Sequence, residues 1–323
     1  MTSRSQPLRH YRRFPRYDYS RGVALFVTLT TSPRRALFGR VSDGGIMHLS
    51  PFGNQVLEAL RFQFKRKQGL MLFGHVVLPD HVHFRLYLAP GLENAAAMAL
   101  LNQRVGRFKS YTTHLYQKQY GGQGALWQEG YHDWICESRL MIDAVERYIA
   151  YNPLKWWLRN GSGRALLALH EPLESPRLGR AEYWRGVGAV ALLNGDRTLL
   201  SLRVSRRCSP PEIASLVARL VAKASELTII SGFISPGERE VLAALLANPK
   251  AKIVKVSPYA LAHDYAPPVA LMGAIAERRL AIIARGNSPE EISRAACLDL
   301  NARIIDIADK AAYALPGELR WVK

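Results

Sequence analysis

The chain of 323 residues predicts two domains. The first is an α+β fold, a ferredoxin-like antiparallel sheet with helices on one face. The second is an α/β fold with parallel, doubly wound strands. Three observations lead there. Residues 22–151 carry apolar patterns in the order β-α-β-β-α-β-α. Residues 161–188 are rich in Gly, Ser and Pro and read as a linker. From residue 189 onward, short β-branched runs alternate with helical patterns opened by proline. The expected division is therefore 1–160, a linker at 161–188, and 189–323.

In the first part, Gly22–Thr31 (GVALFVTLTT) is apolar and β-branched, a strand. Ser50–Gln68 has helical periodicity after a Ser-Pro start. Leu70–Leu78 and Val82–Leu88 are strands joined at Pro79-Asp80, a hairpin. Asn94–Gln117 reads as a long helix. A glycine-rich loop (Gly121, Gly122, Gly124) leads to a strand at Tyr131–Cys136 and a helix from Leu140 to about Tyr151. Asn152-Pro153 is expected to end that helix, because the residue before proline is pushed out of the helical region. In the second part, strands are expected at Leu227–Ile230, Ile253–Val256 and Leu280–Ala284. Helices are expected at Pro236–Leu246, Pro268–Arg278 and Pro289–Cys297.

Composition narrows the function. Lys and Arg number 44 against 26 Asp and Glu, a net charge of +18, with 48% hydrophobic residues. That content excludes a disordered chain. No apolar run reaches the length of a membrane span, and the N-terminus lacks an apolar signal core. Cys136, Cys208 and Cys297 lie too far apart for a disulfide framework or a Cys-x-x-Cys metal site, so a reducing cytoplasm is expected. Basic residues are densest at the start, where Arg12, Arg13 and Arg16 interleave with Tyr11, Phe14 and Tyr17. Such an arm suits a phosphate backbone and unstacked bases. A solubilising tail or an anionic membrane surface are the other readings.

The chemistry concentrates in His81-Val82-His83-Phe84-Arg85-Leu86-Tyr87-Leu88. Alternation along a strand turns Val82, Phe84, Leu86 and Leu88 to one face and His81, His83, Arg85 and Tyr87 to the other. Two imidazoles two residues apart can grip one metal ion, and Arg85 beside them suits a phosphate. A merely polar sheet surface is the plainer reading. Asp80 is read as a turn residue and His75 as a sheet residue. On the last helix Tyr148 and Asn152 share a face at i and i+4, able to supply a nucleophile and a third ligand. A core tyrosine with a capping asparagine is the alternative. Tyr151 is the rival tyrosine.

Val77-Leu78-Pro79-Asp80-His81-Val82-His83 resembles the motif of the single-tyrosine HUH transposases. Leu126-Trp127-Gln128-Glu129-Gly130-Tyr131-His132-Asp133 and Tyr148-Ile149-x-x-Asn152-Pro153 resemble the REP-associated tyrosine transposase branch, over about residues 17–160. Asp80 departs from the asparagine common at that position. The resemblance implies Mg²⁺ or Mn²⁺ held by His81, His83 and Asn152, with Tyr148 attacking single-stranded DNA near a hairpin to leave a 5′-phosphotyrosine. DNA contacts are then expected from Arg12, Arg13, Arg16, Arg85, Arg104, Arg107 and Lys109, with Trp127 stacking a base. Some relatives build the site across a homodimer and others within one chain. No membrane partner is implied. A non-catalytic hairpin-binding protein and a phosphodiesterase using activated water are the competing functions.

Residues 189–315 resemble more faintly the Rossmann-like domain of the DNA-processing protein A family, through Ser231-Gly232-Phe233-Ile234-Ser235-Pro236-Gly237-Glu238 and Asn301. The family's glycine-rich phosphate loop is not evident, so a DNA-binding or partner-docking role is expected. The helix start at Ser235 carries a capping box, and its free amides could take an anion. Ser288-Pro289-Glu290-Glu291 repeats the capping pattern.

Overall fold

The computed structural model describes residues 17–65, 69–121, 123–179, 182–286 and 293–322. Arg12, Arg13, Arg16 and the capping pattern at 288–291 lie outside them. The chain forms two compact units, Met1–Trp157 and Leu158–Lys323.

The first unit runs β1 (Val23–Thr30), β2 (Gly39–Ser42), β3 (Ile46–Leu49), α1 (Pro51–Gln63), β4 (Leu70–Val77), β5 (His81–Leu88), α2 (Asn94–Tyr120), β6 (His132–Cys136) and α3 (Arg139–Asn160). Its main sheet has the order β4-β5-β1-β6 with every neighbour antiparallel, which is the ferredoxin-like arrangement. Alternation sets its two faces. Val23, Leu25, Val27 and Leu29 of β1 join Val82, Phe84, Leu86 and Leu88 of β5 in a core closed by α1 and α2. Ser50 caps α1 by accepting from the Gly53 amide at 2.9 Å, with Pro51 opening the helix. Gly121, at φ +61, ends α2 in the left-handed conformation.

The opposite face is not left bare. Val145 and Ile149 of α3 pack on Ala24 and Cys136, with Phe26, Val76 and Tyr87 around them. Pro153 also does not stop α3, which continues to Asn160. Loss of one backbone donor is offset by anchoring beyond it. Trp156 packs on His81 with ring centroids 5.7 Å apart, and Trp157 Nε1 donates to Asp43 Oδ1 at 3.1 Å. The hairpin β2-β3, which the sequence pattern did not announce, supplies that aspartate.

The second unit contains β7 (Trp184–Gly188), β8 (Thr198–Val204), α4 (Pro210–Ala222), β9 (Leu227–Ser231), α5 (Pro236–Ala247), β10 (Lys252–Val256), α6 (Val269–Ala276), β11 (Leu280–Arg285), α7 (Arg294–Ile307), β12 (Lys310–Leu315) and β13 (Glu318–Val322). The sheet order is β13-β12-β8-β9-β10-β11-β7, parallel from β12 to β11 with antiparallel edges. Helices α4–α6 cover one face and α7 the other, a doubly wound, Rossmann-like architecture. Residues 161–188 are not a plain linker. Leu173, Leu178 and Trp184 are buried in this core, and β7 pairs with β11. Helix α7 begins at Arg294 with Ser293 as its cap; the expected start at Pro289 lies outside the described residues. Among the described residues, no helix is long and apolar enough to cross a membrane.

Candidate active site

The site is built on the α3-facing side of β5 and β1. Thr28 pairs with His83 and Thr30 with His81 across the antiparallel ladder, so each threonine shares a face with its histidine. The rings of His81 and His83 stand 4.6 Å apart, centroid to centroid. Asp80 is buried, and its Oδ1 accepts a short hydrogen bond from His81 Nδ1. A carboxylate has only acceptors, so Nδ1 donates, and Nε2 is the ring nitrogen left to face the site. Arg34 lies 3.7 Å from the other Asp80 oxygen. His83 Nδ1 bonds Thr28 Oγ1 at 2.8 Å. Burial holds the His83 pKa well below 6.5, helped by the neighbouring His81 and Lys155. Both rings are thus oriented through Nδ1, as ligating histidines are.

Helix α3 brings the rest. The Tyr148 ring packs edge-on to His83 at 5.4 Å and to Phe26 at 5.7 Å, while Phe26 stacks on His83 at 5.1 Å. Trp156, two turns further along the same side, covers His81. Asn152 lies between them on the stripe 148-152-156 and is 4% exposed. Its Nδ2 is buried without a hydrogen-bond partner. A neutral amide in that state calls for a ligand, and rotation of the carboxamide by half a turn presents Oδ1 instead. Two imidazoles and a carboxamide fit a divalent cation that keeps several positions open. Among the described residues there is no cluster of three or more His, Cys, Asp or Glu to hold a metal. Tyr148, His81, His83 and Asn152 converge within one chain. Tyr151 is 41% exposed.

Several expected DNA contacts are spent inside the protein. Arg85 is buried, with Nη2 donating to Glu146 Oε1 at 2.5 Å and its guanidinium over the Phe73 ring. Trp127 is 3% exposed, packed against Phe38 and Phe108, with Nε1 donating to Thr112 Oγ1 at 2.8 Å. It anchors the loop and cannot stack a base. Lys109 Nζ donates to the carbonyls of Gln128 and Gly130, both at 2.7 Å, fixing the segment before β6. Arg107 is exposed on α2 and Arg104 is half-buried there. In the second unit, amides at the start of α5 find partners inside the protein. Glu238 Oε2 accepts from the amides of Ile234 at 2.8 Å and Ser235 at 3.2 Å.

Sequence reasoning missed Asp80, Thr28 and Lys155 as members of the site. The acid adjacent to His81 and the strand pairing of Thr28 were the available signals. Lys155, seven residues past Tyr148, returns to the same helical side.

The state of His83 has a thermodynamic consequence. In the unfolded chain its imidazole takes up a proton below about pH 6.5; in the folded chain burial keeps it neutral. Unfolding therefore binds a proton in that window, and stability falls as pH drops. Metal-free protein should lose about 1.4 kcal/mol per pH unit below 6.5 relative to His83→Gln. Urea titrations of both proteins between pH 5 and 7.5 measure that difference; parallel curves would refute a buried neutral His83.

The family described as "Transposase IS200 like" matches residues 51–152. Among solved structures, a REP-associated tyrosine transposase bound to a REP hairpin is 21% identical, covering 45% of this chain and 73% of that chain, with TM-score 0.33. DNA processing protein A from Helicobacter pylori is 16% identical over 46% of this chain and 70% of that chain, with TM-score 0.35. DNA processing protein A from Streptococcus pneumoniae is 17% identical over 56% and 63%, with TM-score 0.36. No curated protein sequence matches the chain. The 51–152 segment that carries the likeness to IS200-like transposases contains His81, His83, Tyr148 and Asn152, while Thr28 and Lys155 lie outside it.

Proposed function

We propose that the first unit is a metal-dependent nuclease and strand-transferase acting on single-stranded DNA beside hairpin repeats, in the cytoplasm. The placement of Tyr148 against His83, with Asn152 buried one turn further along α3, carries this reading. The Tyr148 phenolic oxygen attacks phosphorus, the bond from phosphorus to the 3′-oxygen breaks, and a 5′-phosphotyrosine and a free 3′-OH result. The 3′-OH of another strand can reverse the step without ATP. His81, His83 and Asn152 would hold Mn²⁺ or Mg²⁺, which when bound polarises a phosphoryl oxygen and offsets charge. With two imidazole donors, Mn²⁺ is expected to serve better than Mg²⁺. Arg104 and Arg107 on α2, with Arg12, Arg13 and Arg16 of the arm, are the residues proposed to hold the DNA backbone.

Labelled hairpin oligonucleotides with Mn²⁺, run on a denaturing gel beside Tyr148→Phe, test the reading. A slow-migrating adduct lost in the variant supports it. Cleavage surviving in Tyr148→Phe would favour activated water, and binding without cleavage would favour a hairpin-binding protein.

A further inference from the structure

Lys155 is half-buried on the Tyr148 side of α3. Its Nζ donates to Tyr148 Oη at 3.2 Å and lies 4.5 Å from the centre of the ring. An ammonium has donors alone, so the phenolic oxygen accepts, and one of its lone pairs is fixed in direction. Arg85, on the same sheet face, has its charge answered by Glu146. Among the ion pairs of the described residues, no carboxylate answers Lys155. Its positive charge is therefore directed at the one oxygen that gains and loses a bond to phosphorus.

We propose that Lys155 is a second catalytic residue, acting on the Tyr148 oxygen; this rests on Tyr148 being the nucleophile. In cleavage the phenol gives its proton to solvent, the oxygen–phosphorus bond forms, and the departing 3′-oxygen takes a proton from solvent. In rejoining, an incoming 3′-OH loses its proton and attacks the same phosphorus. Tyr148 Oη then leaves with the bonding electron pair as a phenolate, and a solvent proton restores the phenol. Lys155 keeps its protons throughout. Its N–H group meets the oxygen at the stage where negative charge is greatest, and the same contact lowers the barrier in both directions.

The test uses the full chain with Mn²⁺ and a hairpin oligonucleotide. Rates of adduct formation and of rejoining are measured for wild type, Lys155→Met and Lys155→Arg, with DNA affinity measured separately without metal. Lys155→Met should slow both steps about 10- to 100-fold with DNA affinity little changed, and Lys155→Arg should recover part of the rate. A second readout separates chemistry from folding. With 3,5-difluorotyrosine at position 148 the phenolate is a weaker base and a better leaving group, so the deficit of Lys155→Met should shrink several-fold. An equal deficit with both phenols would overturn the proposal, as would a rate loss matched by lost DNA affinity. If wild type forms no adduct on Tyr148, the underlying reading fails first, before any Lys155 variant is compared.

Discussion

Replacing His81 or His83 with alanine is expected to cut Mn²⁺-dependent cleavage at least about 10³-fold and to remove measurable Mn²⁺ binding. Each ring is oriented at Nδ1 by its own partner: Asp80 for His81, Thr28 for His83. Removing one ring leaves a single imidazole and a neutral amide, too few donors to hold a divalent ion. The supporting groups should show a graded effect. Asp80→Ala is expected to weaken Mn²⁺ binding about 10- to 100-fold, the usual cost of losing the group that orients a ligating histidine. Asp80→Asn should cost less, because a carboxamide oxygen still accepts from Nδ1–H. Isothermal titration with Mn²⁺ separates these cases. Equal affinity in wild type and His83→Ala would dismiss the pair as a polar surface.

The second large effect is expected far from the histidines in sequence. Gly45 sits at φ +79 in the β2-β3 turn, and a Cβ there would come within 2.3 Å of the Leu154 Cα. The atom it meets is backbone, so no side-chain rotation relieves the clash. Gly45→Ala should destabilise the fold by about 2–4 kcal/mol, combining an unfavourable positive φ with forced displacement. The displaced turn of α3 carries Lys155 and Trp156, so cleavage should fall by about 10²-fold in the protein that remains folded. Gly44, beside it at φ +74, has open space where a Cβ would sit, with no atom within 4 Å. Gly44→Ala should therefore cost only about 1 kcal/mol and leave cleavage intact. Thermal unfolding of the two variants distinguishes a packing contact from a general need for glycine in the turn.

Much of this arrangement was legible in the sequence. Period-two alternation in β5 separated the histidine face from the core, and the i,i+4 spacing placed Tyr148 and Asn152 together on α3. What escaped depends on partners distant along the chain. Arg85 lies on the site face as alternation requires, yet Glu146, 61 residues away, claims its guanidinium. Pro153 marks a helix end by local rules, but contacts of Trp156 with His81 and of Trp157 with Asp43 carry the helix past it. Strands β2 and β3 are four residues each and largely half-exposed, so they carry little apolar alternation to read. Strand β7 hides in a glycine-containing segment because it is an edge strand with a single large buried anchor, Trp184.

Tyr148, and no other group, is expected to form the covalent bond to DNA. Trypsin should release the segment from Tyr148 to Lys155, which contains both Tyr148 and Tyr151. Fragmentation of that peptide after reaction with a hairpin oligonucleotide and Mn²⁺ locates the attached nucleotide directly. The expected result is a nucleotide on Tyr148 and an unmodified Tyr151. A nucleotide on Tyr151, or cleaved DNA with an unmodified peptide, would contradict it.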